Sequence, residues 1–369
     1  MSFTLTIIRD FATDLRRTPD AVLNRRRLRR KRPLAVGYIG WVGHDNLGDE
    51  AMFEAVKKAL NRFTVLDLLP EPGERLLTQC GLGGPSVFGG VLLGGGTLIN
   101  PLYLPVARLM RNFHLPLYAV GTGVGNPGLG ISSPDNSLEG WKDLLRDSPL
   151  VSVRGPLSQS LLQQAGITQG EIIGDPALAF TPEAEPPFRS RKRLVINLAQ
   201  AGHPEIFRCI GELARQFLQS GGEVVGVALG SGDRRALEAF RGENRIAEMK
   251  IEDHRRSAEG LLETLAGSYA LMGVRLHAAV LASCAGVPSV LMAYRSKCQD
   301  FMSSMELQSF AVPLSPADAG IARLQECFAR ILAEPELGRQ VYRKALFWKG
   351  CQQRYYSRLS AQLEERITT

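Results

Sequence analysis

Ala270-Leu271-Met272-Gly273-Val274-Arg275-Leu276-His277 opens a stretch that runs on through residues 278–285, Ala-Ala-Val-Leu-Ala-Ser-Cys-Ala, to Gly286. The first four residues form a short apolar run, too brief for a helix and suited to a buried strand. The alanine-rich run that follows favours a helix, and Gly286 ends it. Residues 289–293, Ser-Val-Leu-Met-Ala, then give a second apolar run. Strand, helix and strand within so few residues make a crossover unit, which places the two strands parallel in one sheet.

The same alternation extends outward in both directions. Strands are expected at residues 194–198 and 223–228, with a helix over 206–219 between them. An earlier series has strands at 34–39, 64–69, 91–93, 115–120 and 151–153. Between the two series, residues 181–193 carry Pro182, Pro186 and Pro187 among charged residues without periodicity, and read as a linker. The expected fold class is therefore α/β, with two Rossmann-like domains facing across a cleft. They would cover residues 34–180 and 194–340. Ile321, Leu324, Phe328 and Ile331 keep helical spacing, and a helical tail over 341–369 is expected with them to brace the second domain.

In parallel α/β sheets ligands sit beyond the carboxyl ends of the strands, where the next helix offers free N–H groups. Three such junctions carry cations. Val151-Ser152-Val153 leads into Arg154, then Gly155 and Pro156 at a helix start. Val274 leads into Arg275, Leu276 and His277, and Ala293 into Tyr294-Arg295-Ser296-Lys297. A cation at a helix N-terminus opposes the macrodipole by roughly 0.3–1 kcal/mol, a cost that a bound anion reverses. Each cation can instead pair with a local carboxylate. His277 is open to two readings, a satisfied core histidine or a functional one.

Other features are less specific. Gly94, Gly95 and Gly96 follow an apolar strand and suit a tight turn or close approach to a ligand, without the lysine and hydroxyl of a P-loop. The stretch 121–125, Gly-Thr-Gly-Val-Gly, follows a strand but lacks dinucleotide spacing, so no NAD is inferred. Asn46, Asp49 and Glu50 close the first strand-to-helix loop, where they either cap the helix or meet sugar hydroxyls. Asp175, before Pro176, is read as a structural loop residue.

Composition sets bounds on partners. The chain has 369 residues, 44% hydrophobic, and a formal charge of +7. Residues 1–32 hold ten Lys/Arg and three acids, which leaves 34 of each sign in the remainder. The folded body is thus neutral, and nucleic acid is not an expected partner. The run at residues 25–32 suits anionic phospholipid or a solvated arm. Cys80, Cys209, Cys284, Cys298, Cys327 and Cys351 are scattered and read as reduced thiols, without the clustering a metal site needs. No secretion signal or membrane span is read, so a cytoplasmic protein is expected, with peripheral membrane contact through the basic run as one reading.

Taken in order, Asn46-Leu47-Gly48-Asp49-Glu50, the turn at 94–96, Ser152-Val153-Arg154, Gly174-Asp175-Pro176, Arg275-Leu276-His277 and the run 294–297 resemble the motif series of the polysaccharide pyruvyl transferase family. The sequence departs from that pattern at Arg295-Ser296, where Asp-Pro is more usual before the lysine. The resemblance implies a GT-B-like fold, no cofactor, phosphoenolpyruvate as donor, and a sugar of a cell-surface glycan or its lipid-linked precursor as acceptor. It implies a pyruvate ketal as product, with Arg154, Arg275, Leu276, His277 and Lys297 on the donor. His277, Lys297 and Arg154 would carry the chemistry, and Asn46, Asp49, Glu50, Gly95 and Gly96 would face the acceptor. The alternatives are a glycosyltransferase of the same architecture using a nucleotide sugar, and a non-catalytic glycan- or anion-binding protein.

Overall fold

The computed structural model describes residues 35–68, 88–125, 138–199, 204–314 and 318–368. Cys80 and the basic run at 25–32 lie outside them. Among the described residues the cysteines are all free thiols.

The first domain holds β1 (Ala35–Ile39), α1 (Leu47–Ala59), β2 (Thr64–Asp67), β3 (Phe88–Leu93), β4 (Gly96–Ile99), α2 (Leu104–Asn112) and β5 (Leu117–Val124). It continues with α3 (Lys142–Arg146), β6 (Val151–Val153), α4 (Pro156–Gln164) and β7 (Glu171–Ile172). All pairings are parallel, in the order β2-β1-β3-β5-β6-β7, with β4 joined to β5. Both β1 and β5 are buried along their whole length, as a sheet covered by helices on both faces requires.

The second domain holds β8 (Arg193–Asn197), α5 (Pro204–Gln219), β9 (Glu223–Ala228), α6 (Asp233–Glu243), β10 (Lys250–Asp253), α7 (Ala258–Leu265) and β11 (Ala270–Gly273). It ends with α8 (Leu276–Cys284), β12 (Ser289–Ala293), α9 (Ser296–Ser304), β13 (Ala311–Pro313), α10 (Asp318–Ala333) and α11 (Leu337–Thr368). Its parallel order is β10-β9-β8-β11-β12-β13, the doubly wound Rossmann order. The strand order reverses between β8 and β11 here and between β1 and β3 in the first sheet. Those reversals open crevices at the carboxyl ends of the strands, and the two crevices face each other.

Two differences from the sequence reading concern the ends of elements. The stretch 121–125 continues a strand instead of following one: Gly121 to Val124 extend β5, because β4 supplies an extra pairing partner there. The C-terminal helix does more than brace the second domain. Val341, Ala345 and Trp348 of α11 pack into the second core, whereas Tyr355, Tyr356, Leu359 and Leu363 pack into the first. The Tyr355 hydroxyl donates to the Ala119 carbonyl of β5 at 2.7 Å. A 32-residue helix is about 48 Å long, enough to reach from one domain across the other.

The domains also meet at the mouth of the cleft. Leu47 N donates to the Leu229 carbonyl at 2.9 Å, Ser231 N to the Asp45 carbonyl at 3.2 Å, and Asn46 forms a bridge with Gly230. Leu47, Ala51 and Met52 of α1 accordingly belong to the core of the second domain.

Candidate active site

Between the two crevices lies a cavity of about 670 Å³. The first turns of α1, α8 and α9 line it through Asn46 and Asp49, Leu276 and His277, and Ser296 and Lys297. The turn at Gly96 and Thr97 and the segment Asn100, Pro101, Leu102 and Tyr103 form the opposite wall, and Arg154 the floor.

Arg154 follows β6 directly, and its side chain is 0% exposed. Its Nη2 donates to the Gly96 carbonyl at 2.8 Å, and its Nε lies 2.9 Å from Asp175 Oδ2. Gly96 has φ +112°, a conformation that favours glycine and turns that carbonyl towards the guanidinium. Nη1 is buried without a hydrogen-bond partner. A buried donor left unmade costs about 1–3 kcal/mol, so an acceptor oxygen that reaches the floor is favoured there.

Asp175 is fully buried between Arg154 and His277, whose Nε2 lies 3.6 Å from its Oδ2, an ion-pair distance longer than a hydrogen bond. Its other oxygen accepts from Ala177 N at 3.0 Å, capping the turn Pro176–Phe180. Burial alone would raise this carboxyl, but the charges of His277 and Arg154 outweigh it and hold it at about 2. A cation, a carboxylate and an imidazole thus stand in a row. The imidazole packs against α1: a Cβ placed on Gly48 would lie 1.8 Å from His277 Nδ1.

Asp49 accepts from the Asn46 side-chain amide within the cavity. Burial pushes its carboxyl up, against the lowering charges of His277 and Lys297. Burial, with the charge of Asp49, pushes the Tyr103 phenol up to about 12, so it faces the cavity as a neutral hydroxyl. Lys297 Nζ lies 5.4 Å from the Tyr294 ring centroid, and among the described residues it makes no hydrogen bond or ion pair. Arg295, at the position that departs from the family pattern, adds a further cation to the lining.

The remaining sequence-derived candidates fall elsewhere. Arg275 is gripped by Asp233, with Nε to Oδ2 at 2.6 Å and Nη2 to Oδ1 at 2.7 Å, behind the cavity lining. Gly95 packs on Met52 in the core, where a Cβ would meet Sδ at 2.1 Å. Glu50 accepts from Gly43 N at 2.7 Å and closes its own loop. The α4 N-terminus does not await an anion. Asp300 of α9 reaches across from the second domain and accepts from Leu157 N at 2.9 Å, Ser158 N at 3.2 Å and Ser158 Oγ at 2.6 Å. A carboxylate of the other domain thus already holds that dipole.

The profile of the polysaccharide pyruvyl transferase family matches residues 46–296, more than half of the chain. This chain belongs to the polysaccharide pyruvyl transferase family. No curated protein matches it significantly. Among solved structures, this pyruvyl transferase relative is similar to a putative UDP-N-acetylglucosamine 2-epimerase from Listeria monocytogenes, with TM-score 0.53 and 13% identity over 84% of this chain and 91% of that one. It is similar to the UDP-GlcNAc 2-epimerase of Neisseria meningitidis bound to UDP-GlcNAc, with TM-score 0.51 and 12% identity over 84% and 93% of the two chains. Phytolacca americana UGT2, complexed with UDP-2-fluoro-glucose and pterostilbene, gives TM-score 0.52 and 10% identity over 89% and 99%. Such likenesses establish the architecture of GT-B glycosyltransferases and epimerases, and no more.

Sequence reading of this family member missed several groups at the site. Asp175 was read as structural, yet it holds both the floor cation and the histidine. Its signal was its place in the Gly174-Asp175-Pro176 motif, two residues past the short strand β7. Asp233 and Asp300 gave no local signal, since each acts on a residue far away in sequence. Thr97 lies in β4, a strand too short to stand out, and Asn100 and Tyr103 come from the crossover after it.

Proposed function

We propose that the cavity transfers the enolpyruvyl group of phosphoenolpyruvate to two hydroxyls of a glycan sugar, forming a pyruvate ketal and releasing phosphate. The observation that carries this reading is one small cavity holding the unpartnered Nη1 of Arg154, the unpaired ammonium of Lys297 and an imidazole backed by a carboxylate. A carboxylate and a phosphate on one three-carbon frame need several donors to replace their water. Lys297 and Arg295 suit the phosphate, at the N-terminus of α9 where free N–H groups add to the charge. The orphaned donor of Arg154 suits a donor oxygen at the floor. Arg275 supports the site from behind, steering the start of α8 through its backbone N–H to Asn197 Oδ1 at 3.0 Å.

With Nε2 turned to Asp175, the ring presents Nδ1 on the α1 side. In this reading His277 gives its proton to the methylene carbon, and positive charge develops at C2. A sugar hydroxyl attacks C2 and returns its proton to the imidazole. A second hydroxyl then displaces phosphate, its proton leaving with the phosphate, and closes the ketal. Ionised Asp175 stabilises the imidazolium form of the base, as a carboxylate does behind other catalytic histidines. Asn46, Asp49 and Tyr103 supply hydrogen-bonding groups for the acceptor hydroxyls. The steps of this reading use no cofactor.

The test is thermal stabilisation by phosphoenolpyruvate, UDP and inorganic phosphate, in wild type and Lys297→Ala, since a ligand of the native state raises apparent stability. Stabilisation by phosphoenolpyruvate that exceeds phosphate and is lost in the variant supports the donor. Stabilisation by UDP alone would move the protein to nucleotide-sugar chemistry. His277→Ala should keep that stabilisation while losing about 10²–10⁴-fold in phosphate release, the usual worth of a positioned acid–base group.

A further inference from the structure

The mouth of the cavity bears an exposed apolar strip that neither core explains. Leu102 stands on the rim at 70% exposed, and Leu109 and Phe113 follow at 49% and 40%. With Pro105, also exposed, these residues recur every three or four positions and lie along one face of α2 and its flanking turns. Trp41, on the rim and 44% exposed, stacks on His44 of the same loop with ring centroids 3.9 Å apart. Arg108 and Arg111 are exposed beside the strip, with Arg111 paired to Asp147. Ala107 of α2 is buried and Leu104, Val106 and Met110 pack partly buried against the first core, so the strip is the part of the helix that this packing leaves uncovered. Single exposed apolar side chains are ordinary; an aligned row opening onto a cavity mouth is not.

The charge around this strip indicates what covers it. The strip runs from the cavity rim to the amino-terminal end of β5. Leu117, at the start of β5, is level with Val91 of β3, which is level with Gly37 of β1. Ala35, at which β1 begins, lies at that same end, two strand spacings or about 10 Å from β5, and it follows in the chain a segment, 1–32, with ten Lys/Arg against three acids. An apolar helix face flanked by arginines, in a chain whose polybasic run leads into β1, fits an anionic membrane surface, with a tryptophan at the level of the headgroups.

We infer that the α2 face rests on an anionic membrane surface, bringing the cavity mouth to lipid-linked acceptors. This rests on the pyruvyl-transfer reading only for the acceptor; the membrane contact itself needs no donor. Among the described residues no helix is long and apolar enough to cross a bilayer, so the contact lies in the interface plane.

The experiment is co-sedimentation of the full chain with phosphatidylcholine vesicles and with phosphatidylcholine–phosphatidylglycerol vesicles, for wild type and for the double variant Leu109→Glu, Phe113→Glu. Wild type should bind only the anionic vesicles. The double variant should bind them at least about tenfold more weakly, a 1.4 kcal/mol change, with its unfolding temperature unchanged. Undiminished binding by the variant would overturn the inference and leave the basic segment as the whole anchor. So would the conversion, without vesicles, of a wild-type oligomer into monomers, which would make the face a contact between copies. A failed donor test with intact vesicle binding, or the reverse, tells the two readings apart.

Discussion

Gly48 and Asp175 decide how the histidine stands, and neither touches solvent to do so. A methyl group on Gly48 would sit inside the imidazole of His277, although alanine suits the helix backbone there. Gly48→Ala should therefore lower kcat by about 100-fold, the usual penalty for a shift on the order of 1 Å in a catalytic group. Circular dichroism should show an intact helix content; an unchanged kcat would remove His277 from the chemistry. Asp175 makes a prediction about acid stability. Its carboxyl titrates at about 2 in the fold against a reference of 3.8, so it stabilises the native state by about 2 kcal/mol where it is ionised. Because the folded value is the lower one, that stability is present in full above pH ~4 and disappears as pH falls towards ~2. Urea unfolding at a series of pH values should show this loss in wild type and not in Asp175→Asn. The variant should also be less stable at neutral pH by roughly 3–5 kcal/mol, because Arg154 is left without its counter-ion. The three cations were legible in the sequence because each lies within four residues of the end of a strand. The partners were not: Asp233 and Asp175 lie 42 and 21 positions from the arginines they hold, and Asp300 lies more than 100 from the helix start it caps.

At the level of elements, the strands that read clearly were those rich in branched and aliphatic residues and buried on both faces. β9 and β12 have the bounds expected from their runs. The strands β10, Lys-Ile-Glu-Asp, and β13, ending in Pro313, went unread. Both sit at sheet edges, where one side faces water and a proline is tolerated. The α4 N-terminus shows how an element can be completed by another domain. Asp300 supplies the cap that Gly155 cannot, and a Cβ on Gly155 would lie 2.4 Å from its Oδ1. Asp300→Ala should cost about 1–2 kcal/mol, as loss of a helix cap does. Hydrogen exchange should locate that loss, with faster exchange at the Leu157 and Ser158 amides. Unchanged exchange there would show that the cap contributes nothing.

For the whole molecule, two domains and a cleft could be read from alternation and the proline-rich linker, but their mutual attachment could not. That attachment depends on α11, whose periodicity announces a helix without saying which surfaces it covers. Leu363 lies in the core of the first domain, more than 160 positions beyond the end of that domain's last strand. Leu363→Ala should destabilise by about 2–5 kcal/mol. Calorimetry should give one cooperative transition, since α11 and the contact at residues 45–47 tie both cores together; two resolved transitions would refute that tie. The reach of α11 also bears on synthesis. A growing chain ordinarily folds its first domain while the second is still being made. Here the first sheet emerges early but lacks the side chains that cover Tyr118 and Val120 until residue 363 has been added. Its apolar face must stay unfinished, and open to chaperones or to misassembly, through the translation of the entire second domain.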